Sequence, residues 1–194
     1  MTAAPSPVSK LRYVVILCAH FGRNLAYYRA GQTEVAKAFY KSGHPASDFY
    51  CQANANFFDI CILEWCKLFA EKKGKHRWQH VVADEAAFKA SLLAALGLDD
   101  GGFQQEINRM RLYRDKFVAH LDEDDVMRLP LLSVAHTAVQ HLHSHLVTVV
   151  AKPNELAGLT STPEMFAGGY SACRNEAEVA LAKAMAAATS SPVP

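Results

Sequence analysis

The chain has almost no net charge, no long uninterrupted apolar run and no paired cysteines. Against 20 Lys and Arg stand 19 Asp and Glu, a formal net charge of +1. The molecule is therefore no polycation, and any contact with nucleic acid must use a local basic patch. The apolar stretch at Val14 to Cys18 is interrupted by His20 and Arg23, well short of a membrane span. Nothing resembles a secretory signal, so the sequence predicts a cytoplasmic protein with no membrane partner. The five cysteines are odd in number and include no C-x-x-C pair, which argues for a reducing compartment over a disulfide framework. Cys18, Cys61 and Cys66 fall in apolar helical patterns, where a free thiol behaves as a small hydrophobe. Cys61 and Cys66 lie about 140° apart round a helix and share no ligand face. Strand alternation and internal repeats are also missing. Gly168-Gly169 lacks a following phosphate-binding pattern, so neither a Walker nor a dinucleotide loop is present.

What remains is helical. At 194 residues and 51% hydrophobic content, the chain suits one domain with a sizeable core. Residues 1–9, with Pro5 and Pro7, read as a loose leader, 10–188 as a single helical domain and 189–194 as a frayed tail. Ser9 is expected to cap a helix to about Tyr28, with Gly31 as a break and a resumption over 33–41. Ser42-Gly43-His44-Pro45 reads as a turn. Ser47 or Asp48 then starts a second helix, running to Lys72 and ended by Gly74. Its Phe58, Ile62, Trp65 and Phe69 recur at three- and four-residue steps as one buried stripe. After an irregular connector with Trp78, Asp84 caps a helix to Leu96, stopped by Gly97. Asp99-Asp100-Gly101-Gly102 reads as a loop before a fourth helix over 103–120. A fifth helix is expected over 131–151, an irregular stretch over 153–169 and a last, alanine-rich helix over 172–188. The fold class is all-α: a helical bundle of four to five main helices with a C-terminal extra helix.

The segment 109–125, RMRLYRDKFVAHLDEDD, carries the chemistry. At about 100° per residue, Arg109 and His120 share nearly one face, with Tyr113 and Lys116 close to that line. Arg114 falls roughly 120° from His120, and Asp115 is also off the line. A straight helix therefore cannot make Arg114 and His120 neighbours. They converge only if the helix loosens near its end or if two copies meet across a two-fold axis. These residue types suit RNA cleavage, which deprotonates a 2′-hydroxyl, stabilises a pentacovalent phosphate and protonates the leaving 5′-oxygen. Histidine exchanges protons near neutral pH, and arginine offers a permanently cationic fork to phosphate. Asp115 can orient either partner, and the scheme needs no metal or other cofactor. A purely structural reading stands beside it. Cations at a helix C-terminus gain roughly 0.3–1 kcal/mol from the dipole, and Arg109 and Arg111 can pair with Glu106 or the acids at Asp122 to Asp125.

The stretch Arg114-Asp115-Lys116-Phe117-Val118-Ala119-His120 resembles the signature of the HEPN superfamily: an arginine, a polar residue directly after it, and a histidine a few positions on. RDKFVAHLD is especially similar to the abortive-infection branch. The resemblance implies a helical bundle that dimerises and sets both motifs in a shared cleft. It further implies metal-independent endoribonuclease activity, in phage defence or a toxin–antitoxin system, with an antitoxin or defence protein as partner. On that resemblance Arg114 and His120 are catalytic and Asp115 supports them. Arg109, Arg111, Lys116 and Tyr113 are the candidate RNA contacts. One branch has a tyrosine two positions after the histidine; here that residue is Asp122, so control by nucleotide transfer to it is not implied. The alternative is a non-catalytic helical RNA- or protein-binding module.

Other constellations have two readings each. His141 and His145 share a face at i, i+4, a zinc-compatible spacing, with His136 and His143 nearby. No cysteine or carboxylate completes a set, and the alternative is surface histidines beside an apolar stripe. Lys72, Lys73, Lys75, His76 and Arg77 form a second basic patch or a solvated face. Asp59 and Glu64 lie within the apolar second helix. Asp59 either faces solvent or partners an arginine of the fourth helix, and Glu64 is expected to face solvent. Tyr27, Tyr28 and Trp78 either stack bases or pack the core.

Overall fold

Ser6, and not Ser9, caps the first helix: its Oγ accepts the Ser9 N–H at 3.1 Å, and Pro7 occupies the first turn. The computed structural model describes residues 5–118 and 129–190. α1 runs Pro7–Ala30 and buries Leu11, Val14, Cys18, Phe21 and Leu25, the stripe of a helix enclosed by others. Thr33 caps the short α2, Glu34–Tyr40. Gly43, at φ 71°, then turns the chain. α3, Pro45–Trp65, begins earlier than expected, because the His44 Nδ1 accepts the Ala46 N–H at 3.1 Å and caps it. It continues as a π-helical turn, Cys66–Ala70, and stops at Glu71, whose backbone is extended, short of Lys72 and Gly74.

A single 3₁₀ turn, Trp78–His80, leads to α4, Glu85–Leu96, with the Asp84 cap and left-handed Gly97 (φ 63°) that the sequence indicates. Asp99 caps α5, Asp100–Tyr113, through the Gly102 N–H at 2.7 Å. Gly101 and Gly102 are thus the first turn of a helix and not a loop. α5 passes into a π turn, Arg114–Val118. α6, Leu132–His145, likewise ends in a π turn, Leu146–Val150. α7 spans Pro163–Ser190 and takes in Gly168-Gly169, which were expected to be irregular. Thr162 explains the early start: its Oγ1 accepts the Met165 N–H at 3.1 Å.

The architecture is all-α, and the described residues include no strand. α1 is the hub, packed against α3, α6 and α7, while α4 lies on α6 and α5 on the π turn of α3. The longest helix, α7, is thus an integral wall of the bundle. Trp65 stacks on Phe69 at 5.1 Å, with Phe103 edge-on to both, and Trp78 packs on Phe88 at 4.7 Å. A smaller cluster of Ala36, Phe39 and Leu181 joins α2 to the far end of α7. Cys18, Cys61 and Cys66 are buried free thiols. Burial raises all three, Cys66 to about 12, so they stay protonated. Among the described residues no helix is long and apolar enough to cross a membrane.

Candidate functional site

The site is built at the junction of α5 with its π turn. Tyr113, the last α-helical residue, is only 6% exposed. Its ring meets Phe58 edge-on at 5.3 Å, and its hydroxyl donates to Asp59 Oδ1 at 2.8 Å. The ring expected to touch RNA therefore faces α3 and supports the site from beneath. Asp59 has a tyrosine of α5 as its partner, where an arginine or solvent was expected. Burial and this carboxylate push the Tyr113 phenol well above its ordinary range.

Arg114 opens the π turn with its side chain 19% exposed. Nε and Nη2 donate to Asp115 Oδ1 at 2.8 Å each, and Nη1 donates to Glu71 Oε1 at 3.3 Å. Burial works against the guanidinium's charge, and the Asp115 and Glu71 carboxylates more than offset it. The result is a fixed cation with part of its donor fork engaged. Asp115 touches Arg114 directly, as a positioning residue must.

The Glu71 contact has a second effect. It brings the start of the basic loop, with Lys72, Lys73 and Lys75 exposed, against the arginine segment. The residue that leads into one basic stretch thus contacts the first residue of the π turn in the other. Arg109 pairs with Glu106 one turn back on α5 and remains largely exposed. Arg111 and Lys116 are half-buried. His120 and the acids at Asp122 to Asp125 lie outside the described residues.

The histidines of α6 are not a surface row. His143 is buried, with Nε2 2.9 Å from the Thr160 carbonyl and its ring against Phe166. His141 reaches Ser91 Oγ at 2.9 Å and packs on Phe88, as does His145. His136 stacks on Tyr170 and takes the Arg29 Nη1 at 3.2 Å on Nδ1. His141 and His145 share Phe88 while His136 and His143 face other neighbours, and no three His, Cys, Asp or Glu among the described residues form a metal-holding group. Burial lowers the pKa of all four, and lowers His136 to about 4 with Arg29 assisting. Tyr28 packs on Phe58 and Trp78 is buried, so neither is offered to a base.

Two features escape the linear sequence. Nothing local links Glu71 to Arg114. Glu64 is buried at 7% exposure beside His20, whose side chain is 46% exposed and lines a cavity with Arg23. Glu64 shares the helical phase of Cys61 and Leu68, and that phase is the one signal of its burial. Compared with known proteins, the chain matches no family model, no curated protein and no solved structure.

Proposed function

We propose that this is a HEPN-like, homodimeric RNA-acting protein, a metal-independent endoribonuclease of phage defence or a toxin–antitoxin system. The observation that supports this reading best is the Arg114–Glu71 pair, which holds the guanidinium against the residue that precedes the exposed Lys72 and Lys73. In this reading the exposed lysines that follow Glu71 draw a phosphate chain toward the fixed guanidinium. In the proposed reaction His120 takes the proton of the 2′-hydroxyl. The 2′-oxygen attacks phosphorus, a cyclic phosphate forms, and the bond to the 5′-oxygen breaks as that oxygen takes a proton from the His120 imidazolium formed in the first step. Arg114, positioned by Asp115, stabilises the pentacovalent phosphate. Arg109, Arg111 and Lys116 hold the flanking strand, and an antitoxin or defence protein controls access.

Incubating purified protein with assorted RNAs in the presence of chelator tests this. His120→Ala and Arg114→Ala are each expected to lose about 100-fold or more in cleavage rate. RNA with deoxyribose at the cut position should survive, since the nucleophile is absent. Equal cleavage by wild type and His120→Ala, or none by either, overturns the enzymatic claim. The engagement of Arg114 by two carboxylates favours a second reading, a non-catalytic RNA- or protein-binding module. That reading predicts RNA retention by the His120→Ala variant, lost on neutralising Lys72, Lys73 and Lys75, with no cleavage by any form.

A further inference from the structure

A cavity of about 290 Å³ lies where the end of α1, α2, the first half of α3 and α7 come together. It is remote in sequence and chemistry from Arg114. Its walls are aromatic: Tyr27, Tyr40, Phe49, Tyr50 and Phe57, with Glu176 as the one charged lining residue. The rings do not lie flat on one another. Tyr27 and Phe57 are 5.0 Å apart and tilted by 54°, while Phe49 and Tyr50 meet at 5.4 Å and 87°. These are contacts between neighbouring rings, so each pair holds its members in place along the cavity wall. Ala53, Ala177 and Ala180 keep that space open, because none extends a long side chain into it.

The polar groups narrow the ligand class. Asn54 also lines the cavity, but its Oδ1 accepts from Gln32 at 2.7 Å and its Nδ2 donates to the Tyr28 carbonyl at 2.9 Å. Its hydrogen-bonding capacity is largely spent inside the fold. Glu176 accepts from the Tyr27 hydroxyl at 3.4 Å and makes no ion pair among the described residues. Burial holds the Tyr27 and Tyr40 phenols above their ordinary range, so at neutral pH the carboxylate supplies the charge. The faces of aromatic rings carry negative potential as well. An anion finds no cationic partner among the lining residues, whereas a cation meets both the rings and the Glu176 carboxylate.

We propose that this cavity binds a small organic cation, a substituted ammonium whose apolar groups lie against the rings and whose charge faces Glu176. The size suits a compact ligand. Recognition rests on charge and shape together, which is how aromatic walls distinguish an alkylated ammonium from a strongly hydrated small ion. The inference stands independently of the RNA reading, since it uses no residue of that site.

Calorimetric titration with choline, and with its uncharged analogue in which carbon replaces the ammonium nitrogen, tests the proposal on the full chain. Choline should bind saturably and about tenfold more tightly than the neutral analogue. Glu176→Gln should remove that preference, and Phe49→Ala should weaken both compounds. Glu176 is exposed and Phe49 is 70% exposed, so both variants should fold, and an unchanged thermal melt confirms it. Equal affinity for the two compounds overturns the proposal, as does choline binding indifferent to Glu176→Gln, or no saturable binding. A dimer that Phe49→Ala dissociates assigns the cavity to a second copy of the chain and overturns it too.

Discussion

Glu64 Oε1 stands 3.5 Å from Nδ1 of His20, while its other carboxylate oxygen is buried with no hydrogen-bond partner among the described residues. Burial pushes this carboxyl up to about 7, with Lys67 and Arg23 pulling the other way. An acid raised on folding is more protonated in the native state than in the unfolded chain, where its value is about 4.3. Stability therefore falls as pH rises from about 4.3 to about 7, and the cost is complete above that window. Glu64→Gln is expected to flatten the slope of Tm against pH and to gain roughly 1–2 kcal/mol near pH 8. Calorimetry across that range checks it; an unchanged slope means the carboxyl is not the group responsible.

The Tyr113 hydroxyl ties the base of the arginine site to α3. Tyr113→Phe removes the donor that Asp59 accepts at 2.8 Å and should cost about 1–2 kcal/mol in urea unfolding. Combined with Asp59→Ala, the losses should fall short of additive, because both substitutions delete one interaction. Full additivity counts against the bond.

Gly31 is fixed by space and not by dihedral angle, since its φ is −79°. A Cβ there would penetrate the side-chain amide of Asn54 and press on the Tyr40 hydroxyl. Asn54 cannot yield easily, because its amide caps the end of α1 through the Tyr28 carbonyl. Gly31→Ala should destabilise by roughly 1–3 kcal/mol. A melting temperature equal to wild type shows that the amide has room to move.

His136 is lowered to about 4 by burial and by Arg29. A depressed histidine binds fewer protons in the native state than in the unfolded chain. Its contribution to stability is present above about 6.5 and is lost as pH falls toward about 4. His136→Phe keeps the stack on Tyr170 and has nothing to protonate, so it should reduce acid lability within that window. Denaturation midpoints at matched pH values measure this, and identical acid profiles exclude His136 as the source.

The helices of this chain were legible because their signals are local. The Asp84 cap, the Gly97 stop and the stripe Phe58, Ile62, Trp65, Phe69 each act within a turn or two. Errors fell where a weak local preference lost to a specific partner. Asp99 captured the Gly102 amide and made a loop into a first turn. Thr162 did the same for α7. The α6 histidines read as a surface row because periodicity shows which residues share a face, not which neighbour covers it. Of the candidate site, the Arg114–Asp115 contact was readable as adjacency in the chain. The burial of Tyr113 and the approach of Glu71 were not.

By itself the sequence determined that this chain forms helices, where most of them begin and end, and which faces are apolar. Those properties arise from side-chain spacing and from caps that act over three or four residues. Only the tertiary structure decided that Glu71 meets Arg114, that His20 meets Glu64, and that five aromatic side chains line a cavity beside Glu176. Such pairs depend on how helices dock. One apolar stripe is compatible with many dockings, and the choice among them is made by the combined packing of large core side chains such as Trp65, Phe21 and Phe88.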